Sequence, residues 1–251
     1  MTQSAELLQM ETGTLLKQEQ GRAVFAVKAP DDLVVKVPME ALRAADTGRV
    51  RPFLYKHFPT TRHRMLLRQL THDIEVRIRS HDAGIASPIA FTNGVMRTDM
   101  GLGLLMQRVG PESGGLGMTL DEFVARDLLE TAALKALNDF SRAVFALGVV
   151  APGLNSRSIV WGQQEGKWQP LIVDGFGDPN VIKLRSWVPY LRHRALHRGM
   201  ERTARDVGLH WSRRKKMFLR NDYDALDWGY PLCLLRRKLG IIQRQRVDLG
   251  I

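Results

Sequence analysis

The chain of 251 residues is 44% hydrophobic and 25% charged, ordinary for a globular protein and enough to bury a sizeable core as one two-lobed domain or two small ones. Its one cysteine, Cys233, excludes an intrachain disulfide, and no apolar run reaches the roughly 20 residues that span a bilayer. The net charge of +11 is not spread evenly: residues 1–182 hold 20 Lys+Arg and 20 Asp+Glu, whereas residues 183–251 hold 17 and 6, so the whole excess lies in the C-terminal quarter.

Glu6 and Glu11 stand where a signal peptide would carry a basic flank and an apolar core, so a cytoplasmic location is expected, with peripheral attachment to the inner membrane as an alternative. From Leu15 to Val37 the pattern reads as a pair of hairpins. Val24, Phe25 and Val27 form one strand, Ala29 to Asp32 a turn, and Leu33 to Val37 a second strand with Lys36 inside it. That lysine either points to solvent or is turned inward for a purpose. Gly21 is the glycine placed where a phosphate-covering loop would sit. Residues 40–62 mix Arg49, Arg51, Phe53, Tyr55, Lys56, His57 and Phe58 and read as an irregular or partly helical insertion, either a solvated connector with a few packing anchors or a nucleic-acid contact.

Met65 to Ala83 has helical spacing through Leu66, Leu67, Leu70, Ile74 and Ile78, with Gly84 as terminator. Glu75 within it either pairs with Arg79 at i,i+4 or reaches Lys36. Ile89 to Val95 and Gly103 to Val109 read as strands around a polar turn, Arg97 to Gly101. Four of the eight residues from Pro111 to Met118 are Gly or Pro, which puts a lobe boundary there. Thr119-Leu-Asp-Glu122 is a capping box for a long helix over 120–147, ended by Gly148.

Then come Gly153 to Val160 and Gln169-Pro-Leu-Ile-Val-Asp-Gly-Phe-Gly-Asp178. Ser158 to Trp161 and Leu171 to Val173 are strand-like, and Gly162 to Lys167 supplies turn chemistry between them. Such a hairpin brings Asp174, an acid after an apolar run, beside the Gly153 to Ser158 loop. The carboxylate either caps a turn or holds a metal.

Taken in order over roughly residues 12–200, these stretches resemble the YrbL family, PhoP-regulatory-network proteins built on a protein-kinase-like fold. The matching segments are Gly21-Arg22 leading to Lys36, Ile74-Glu75, Arg97 to Gly103, Gly153 to Val160, Leu171 to Gly175 and Val181 to Tyr190. The resemblance implies a two-lobed α+β fold. Residues 1–110 would be a β-rich N-lobe with the helix 65–83, and residues 111–251 a short helical C-lobe with the helix 120–147, the catalytic-loop-like hairpin 149–178 and the basic C-terminus. It further implies ATP with Mg2+ or Mn2+ as ligands. Gly21 and Lys36 would face the phosphates, Glu75 would orient the lysine, Met106, Gln107 and Val109 would form the hinge facing adenine, and Asp174 would hold the metal.

Two departures fall where the chemistry would happen. Gly153 stands at the place of the catalytic-loop aspartate and Ser158 at that of the second metal-binding residue, normally asparagine. Glycine cannot accept a proton. Asn155 lies close by and could orient a substrate. The resulting expectation is a nucleotide-binding regulatory protein with a degenerate catalytic loop, a pseudokinase or atypical kinase in bacterial envelope or stress regulation. The alternatives are a small-molecule or lipopolysaccharide-core type kinase at the membrane surface, and a non-enzymatic basic adaptor on anionic membrane or nucleic acid.

In the C-terminal quarter, Lys183 to Arg220 holds 12 Lys+Arg against Glu201 and Asp206, with Trp187, Tyr190, Leu191, Leu196, Met200, Trp211, Met217, Phe218 and Leu219 interleaved. A further apolar and basic stretch runs from Leu232 to Ile242. The segment is either a helical C-lobe with a solvated basic shell or a surface for anionic phosphates. Trp187, Trp211, Phe218 and Leu232 to Leu235 as inserting residues favour lipid over nucleic acid.

Overall fold

Alternation along the strands decides the first sheet. The structure, a computed structural model, describes residues 15–19, 22–27, 32–38, 64–164, 166–177 and 188–220. Strands β1 (Leu15–Glu19), β2 (Arg22–Ala26), β3 (Leu33–Pro38), β4 (Thr92–Thr98) and β5 (Gly101–Gln107) form an antiparallel sheet in the order β1-β2-β3-β5-β4. Ala23, Phe25, Leu33, Val35 and Val37 pack together on one face, with Leu105 from β5. Val24, Val34, Leu104 and Met106 belong to the main core on the other. Lys36 shares the parity of Val34 and lies in register between Val24 and Leu104, so it leaves the sheet on the core side and not toward solvent. Gly21, residues 40–62, Trp187 and the Leu232 to Ile242 stretch lie outside the described residues.

The expected turn from Arg97 to Gly101 shrinks to Asp99 and Met100. Thr98 Oγ1 donates to the Gly101 carbonyl (2.7 Å) and accepts from the Met100 amide (3.2 Å), so the strands continue to Thr98 and resume at Gly101. Ile89, expected in a strand, instead makes an isolated parallel bridge with Ile172.

Helix α1 (Arg64–Ala83) follows β3 as expected, but its phase is not the one its apolar residues suggest. Leu67, Ile74 and Ile78 are exposed, Ile78 by 57%, while Gln69, His72, Asp73 and Val76 are buried with Leu66. The buried polar side chains are held by distant backbone and side-chain groups, which removes the penalty that would otherwise keep them outside.

The single helix expected over 120–147 is two: α2 (Leu120–Ala125) and α3 (Thr131–Ala146). Asp127 adopts φ +56°, and the Leu128 amide donates back to Phe123, closing α2 as a left-handed residue commonly does. The capping arrangement does start α2, with the Thr119 amide donating to the Glu122 carboxylate at 2.9 Å. In the next hairpin, β6 (Ile159–Gln164) pairs with β7 (Lys167–Ile172) as far as Gln164 opposite Lys167, so Gly162 to Gln164 and Lys167, expected in the turn, belong to the strands. The glycine-rich connector lies directly on it: a Cβ on Gly117 would sit 1.9 Å from the Trp161 carbonyl oxygen.

Helix α4 (Pro189–Asp206) buries Leu196, Gly199, Met200, Thr203 and Ala204, and β8 (Leu209–Ser212) pairs with β9 (Met217–Arg220) beside it. Asn138 of α3 accepts from the Phe218 amide (2.6 Å) and donates to its carbonyl (3.0 Å), docking that strand. Trp211 and Phe218 are therefore core, 5% and 0% exposed, which overturns their expected role as membrane-inserting residues.

Among the described residues no helix is long and apolar enough to cross a membrane. The mixed α+β architecture expected from the sequence holds, with α1 between the third and fourth strands of the sheet.

Candidate functional site

The core-facing position of Lys36 brings its Nζ to 2.5 Å from the carbonyl of Val173, where it donates a hydrogen bond. The next residue is Asp174. Its Oδ1 accepts from its neighbour Gly175 N (2.7 Å) and from Gln69 Nε2 of α1 (3.0 Å). Strand β3, helix α1 and the loop after β7 thus converge on a lysine, an amide and a carboxylate.

Why the loop arrives there is legible in its hydrogen bonds. The Val173 amide donates to Ser158 O (3.0 Å), Gly153 N to Gly175 O (3.3 Å) and Gly177 N to Val150 O (2.6 Å), so the two loops are laced side by side. The expected juxtaposition of Asp174 with the Gly153 to Ser158 loop is what the backbone adopts. At the crossing, a Cβ on Gly153 would lie 3.2 Å from Gly175 Cα, and one on Gly175 would lie 3.0 Å from Gly153 O. Gly175 also takes φ +77°, which an L side chain disfavours.

Asn155 and Ser158 are engaged by their own turn. Asn155 Oδ1 accepts from Arg157 N (3.0 Å) and Ser158 N (3.1 Å), and its Nδ2 donates to Gly153 O (2.9 Å). Ser158 Oγ donates to Asn155 O (2.8 Å) and accepts from Asn155 N (3.0 Å). This is an N-cap for the 3-10 turn Ser156–Ser158. Met106, 1% exposed, lines the core opposite Val34. Gln107, opposite Leu33, has outer-face parity, and the carbonyl of Val109 accepts from Gly117 N at 2.8 Å.

Glu75 lies further along α1. Its carboxylate is 3.4 Å from His72 Nδ1 and 3.6 Å from Arg79 Nη2. His72 Nε2 accepts from the Val150 amide (2.9 Å), which leaves the ring proton on Nδ1, facing Glu75. Arg79 Nη1 donates to Leu147 O (2.7 Å) and Gly148 O (3.1 Å). On the sheet side, buried Asp73 accepts from Thr92 N (3.1 Å) and pairs with Arg77 (2.8 Å). Burial pushes the Asp73 carboxyl above its ordinary value, against the opposing pull of Arg77.

Sequence reasoning missed Gln69, His72 and Asp73. The signal that could have found them is their own spacing with Val76 (i, i+3, i+4, i+7), a helical stripe that is mostly polar.

Fold and site define a mixed α+β protein in which a strand lysine is turned into the core beside an aspartate-bearing loop. The family model described as PhoP regulatory network protein YrbL matches residues 8–208, and the chain belongs to that family. Two crystal structures similar to the chain are of the Mycobacterium tuberculosis PknI kinase domain, as a single and a double mutant. Each is 15% identical and covers 81% of this chain and 78% of that one, with TM-scores of 0.45 and 0.41. No curated protein matches the chain.

Proposed function

We propose that this family member is a nucleotide-binding regulatory protein of the pseudokinase kind, with residues 1–110 and 111–251 as its two lobes and the ligand between them. The observation that carries the reading is the inward Lys36, hydrogen-bonded to the carbonyl of the residue before Asp174. A phosphate tail needs a fixed positive charge, and a hard divalent cation needs an oxygen ligand close to it. Lys36 and Asp174 supply both, the lysine bonded to the residue that precedes the aspartate.

Glu75 is the acid proposed to orient Lys36 when nucleotide is present, and Met106 to Val109 the segment proposed to face the base. Asp174, with Ser158 as the lesser donor, would hold Mg2+ or Mn2+. A single carboxylate fits a cation whose other ligands are water and phosphate oxygens. When bound, that cation would neutralise phosphate charge. The residues themselves bind and orient. Gly153 offers no group to take a substrate proton, and Asn155 is committed to its own loop, so binding without efficient phosphotransfer is the expected behaviour.

Thermal unfolding with ATP and Mg2+ or Mn2+ tests this. At a nucleotide concentration 100 times Kd, stability rises by about 2.7 kcal/mol, a shift of roughly 5–10 °C for a chain of this size. Lys36→Ala is expected to remove most of it. No shift with any metal at millimolar nucleotide overturns the reading.

A further inference from the structure

Helix α4 divides its surface sharply. One face is core, built on Leu196, Gly199, Met200, Thr203 and Ala204. The opposite face carries Arg194, Arg198, Arg202 and Arg205, all exposed. At 100° per residue these four fall within an arc of about 80°. Among the described residues none of them makes an ion pair.

The acid at the edge of this arc is already balanced. Glu201 takes the guanidinium of Arg213, with Arg213 Nη2 to Glu201 Oε2 at 3.0 Å, and that bond holds the Glu201 carboxyl below its ordinary value. The same pair fixes the β8–β9 turn beside the helix, which brings exposed Arg214 and Lys215 next to the arginine face. Asp206, at the helix end, is left as the face's other acid, 3.5 Å from the Ser156 hydroxyl. Like charges at i,i+4 oppose a helix, and solubility is served by mixed signs, so neither helix stability nor solubility explains four arginines in one arc.

The start of the helix adds a different chemistry. Tyr190 is 70% exposed, and Leu191 and Val188 are exposed beside it. Leu191 falls within the arginine arc and Tyr190 about 40° to one side of it.

We infer that this face of α4 docks on an anionic phospholipid surface. Arginine guanidiniums match phosphate oxygens two at a time, and tyrosine with a neighbouring leucine suits the boundary between headgroups and acyl chains. A nucleic-acid surface would have no use for exposed Val188 and Leu191. Because the apolar face of the helix is packed in the protein core, the helix lies on the headgroups and does not sink its axis into them, so attachment is governed by charge. This inference is independent of the nucleotide site.

Co-sedimentation of the full chain with phosphatidylcholine vesicles, with and without phosphatidylglycerol, is the test, with duplex DNA as a separate arm. The expected result is binding to the anionic vesicles only, lost as salt rises toward about 0.5 M. Changing Arg194, Arg198, Arg202 and Arg205 together to Gln is expected to weaken it on the order of 100-fold or more, and the milder Arg198→Gln/Arg202→Gln pair on the order of 10-fold. Unfolding temperatures of both variants report whether the fold is kept, and the pair serves if the fourfold change does not fold. Absence of binding by the unaltered chain, binding unchanged by either folded variant, or binding to DNA in preference to vesicles overturns the inference.

Discussion

Position 153 leaves a side chain almost nowhere to go. A Cβ there meets Gly175 Cα at 3.2 Å and Gly175 O at 3.3 Å, closer than packed atoms normally sit, so the neighbouring loop must yield. Yielding is resisted by the hydrogen bonds that lace the two loops, Gly153 N to Gly175 O among them. Gly153→Ala and Gly153→Asp are therefore both expected to lower stability by about 1–3 kcal/mol, the range for an overpacked site. Urea unfolding measures it, and a Gly153→Asp protein as stable as the parent would show that the loops part easily. At this scale Lys36 was the readable residue, because a lysine inside an apolar strand is conspicuous. Gln69 was not, since its partner, Asp174, lies 105 residues away and nothing local marks the meeting.

Among the elements, α4 and the β8–β9 hairpin form a package whose stability depends on pH. His197 Nδ1 accepts from Trp211 Nε1 (3.1 Å), and both rings pack on Phe145. His193, four residues earlier, meets Phe145 edge-on. Burial, and then Arg213, push His197 below the ordinary histidine value, with Glu201 pulling the other way and His193 and Lys216 adding to the depression. Burial, Lys216 and Arg192 do the same to His193. A base depressed in the fold stays neutral while the unfolded chain takes up its proton, so stability falls as pH drops below about 6.5 toward the lowered folded value. Thermal unfolding from pH 7 to pH 5 is expected to show that fall, and His197→Asn, which keeps an acceptor without a titrating ring, is expected to reduce it. A pH dependence identical in the two proteins would remove His197 from the account.

The elements also show where periodicity misleads. The leucines and isoleucines of α1 predict a buried stripe, yet Leu67, Ile74 and Ile78 face outward because Thr92 and Val150 supply partners to Asp73 and His72. The break after α2 was hidden for a related reason. Asp127 takes a left-handed conformation without being a glycine, so no punctuation announced it. Sheet strands were easier, since a period of two survives whichever neighbour covers each face.

For the whole molecule, the polar buried face of α1 bears on how the proposed ligand would reach its site. Asp73 and Arg77 tie the helix to Thr92 at the start of β4, through its amide and its carbonyl (2.5 Å). His72 and Arg79 tie it to Val150, Leu147 and Gly148 on the other side. Residues 88–90 add two more links, Ile172 N to Pro88 O (2.8 Å) and Ala90 N to Ile172 O (3.0 Å). The helix is thus bolted to both leaves of a door. Parting the leaves would break the helix's bonds to one side and the links of residues 88–90, at about 1 kcal/mol apiece, while a loop or side chain can move aside alone and faster. On the proposed nucleotide-binding reading, association is then expected to be a single step, its observed rate rising linearly with concentration in stopped-flow fluorescence. A plateau would mean that the leaves part first.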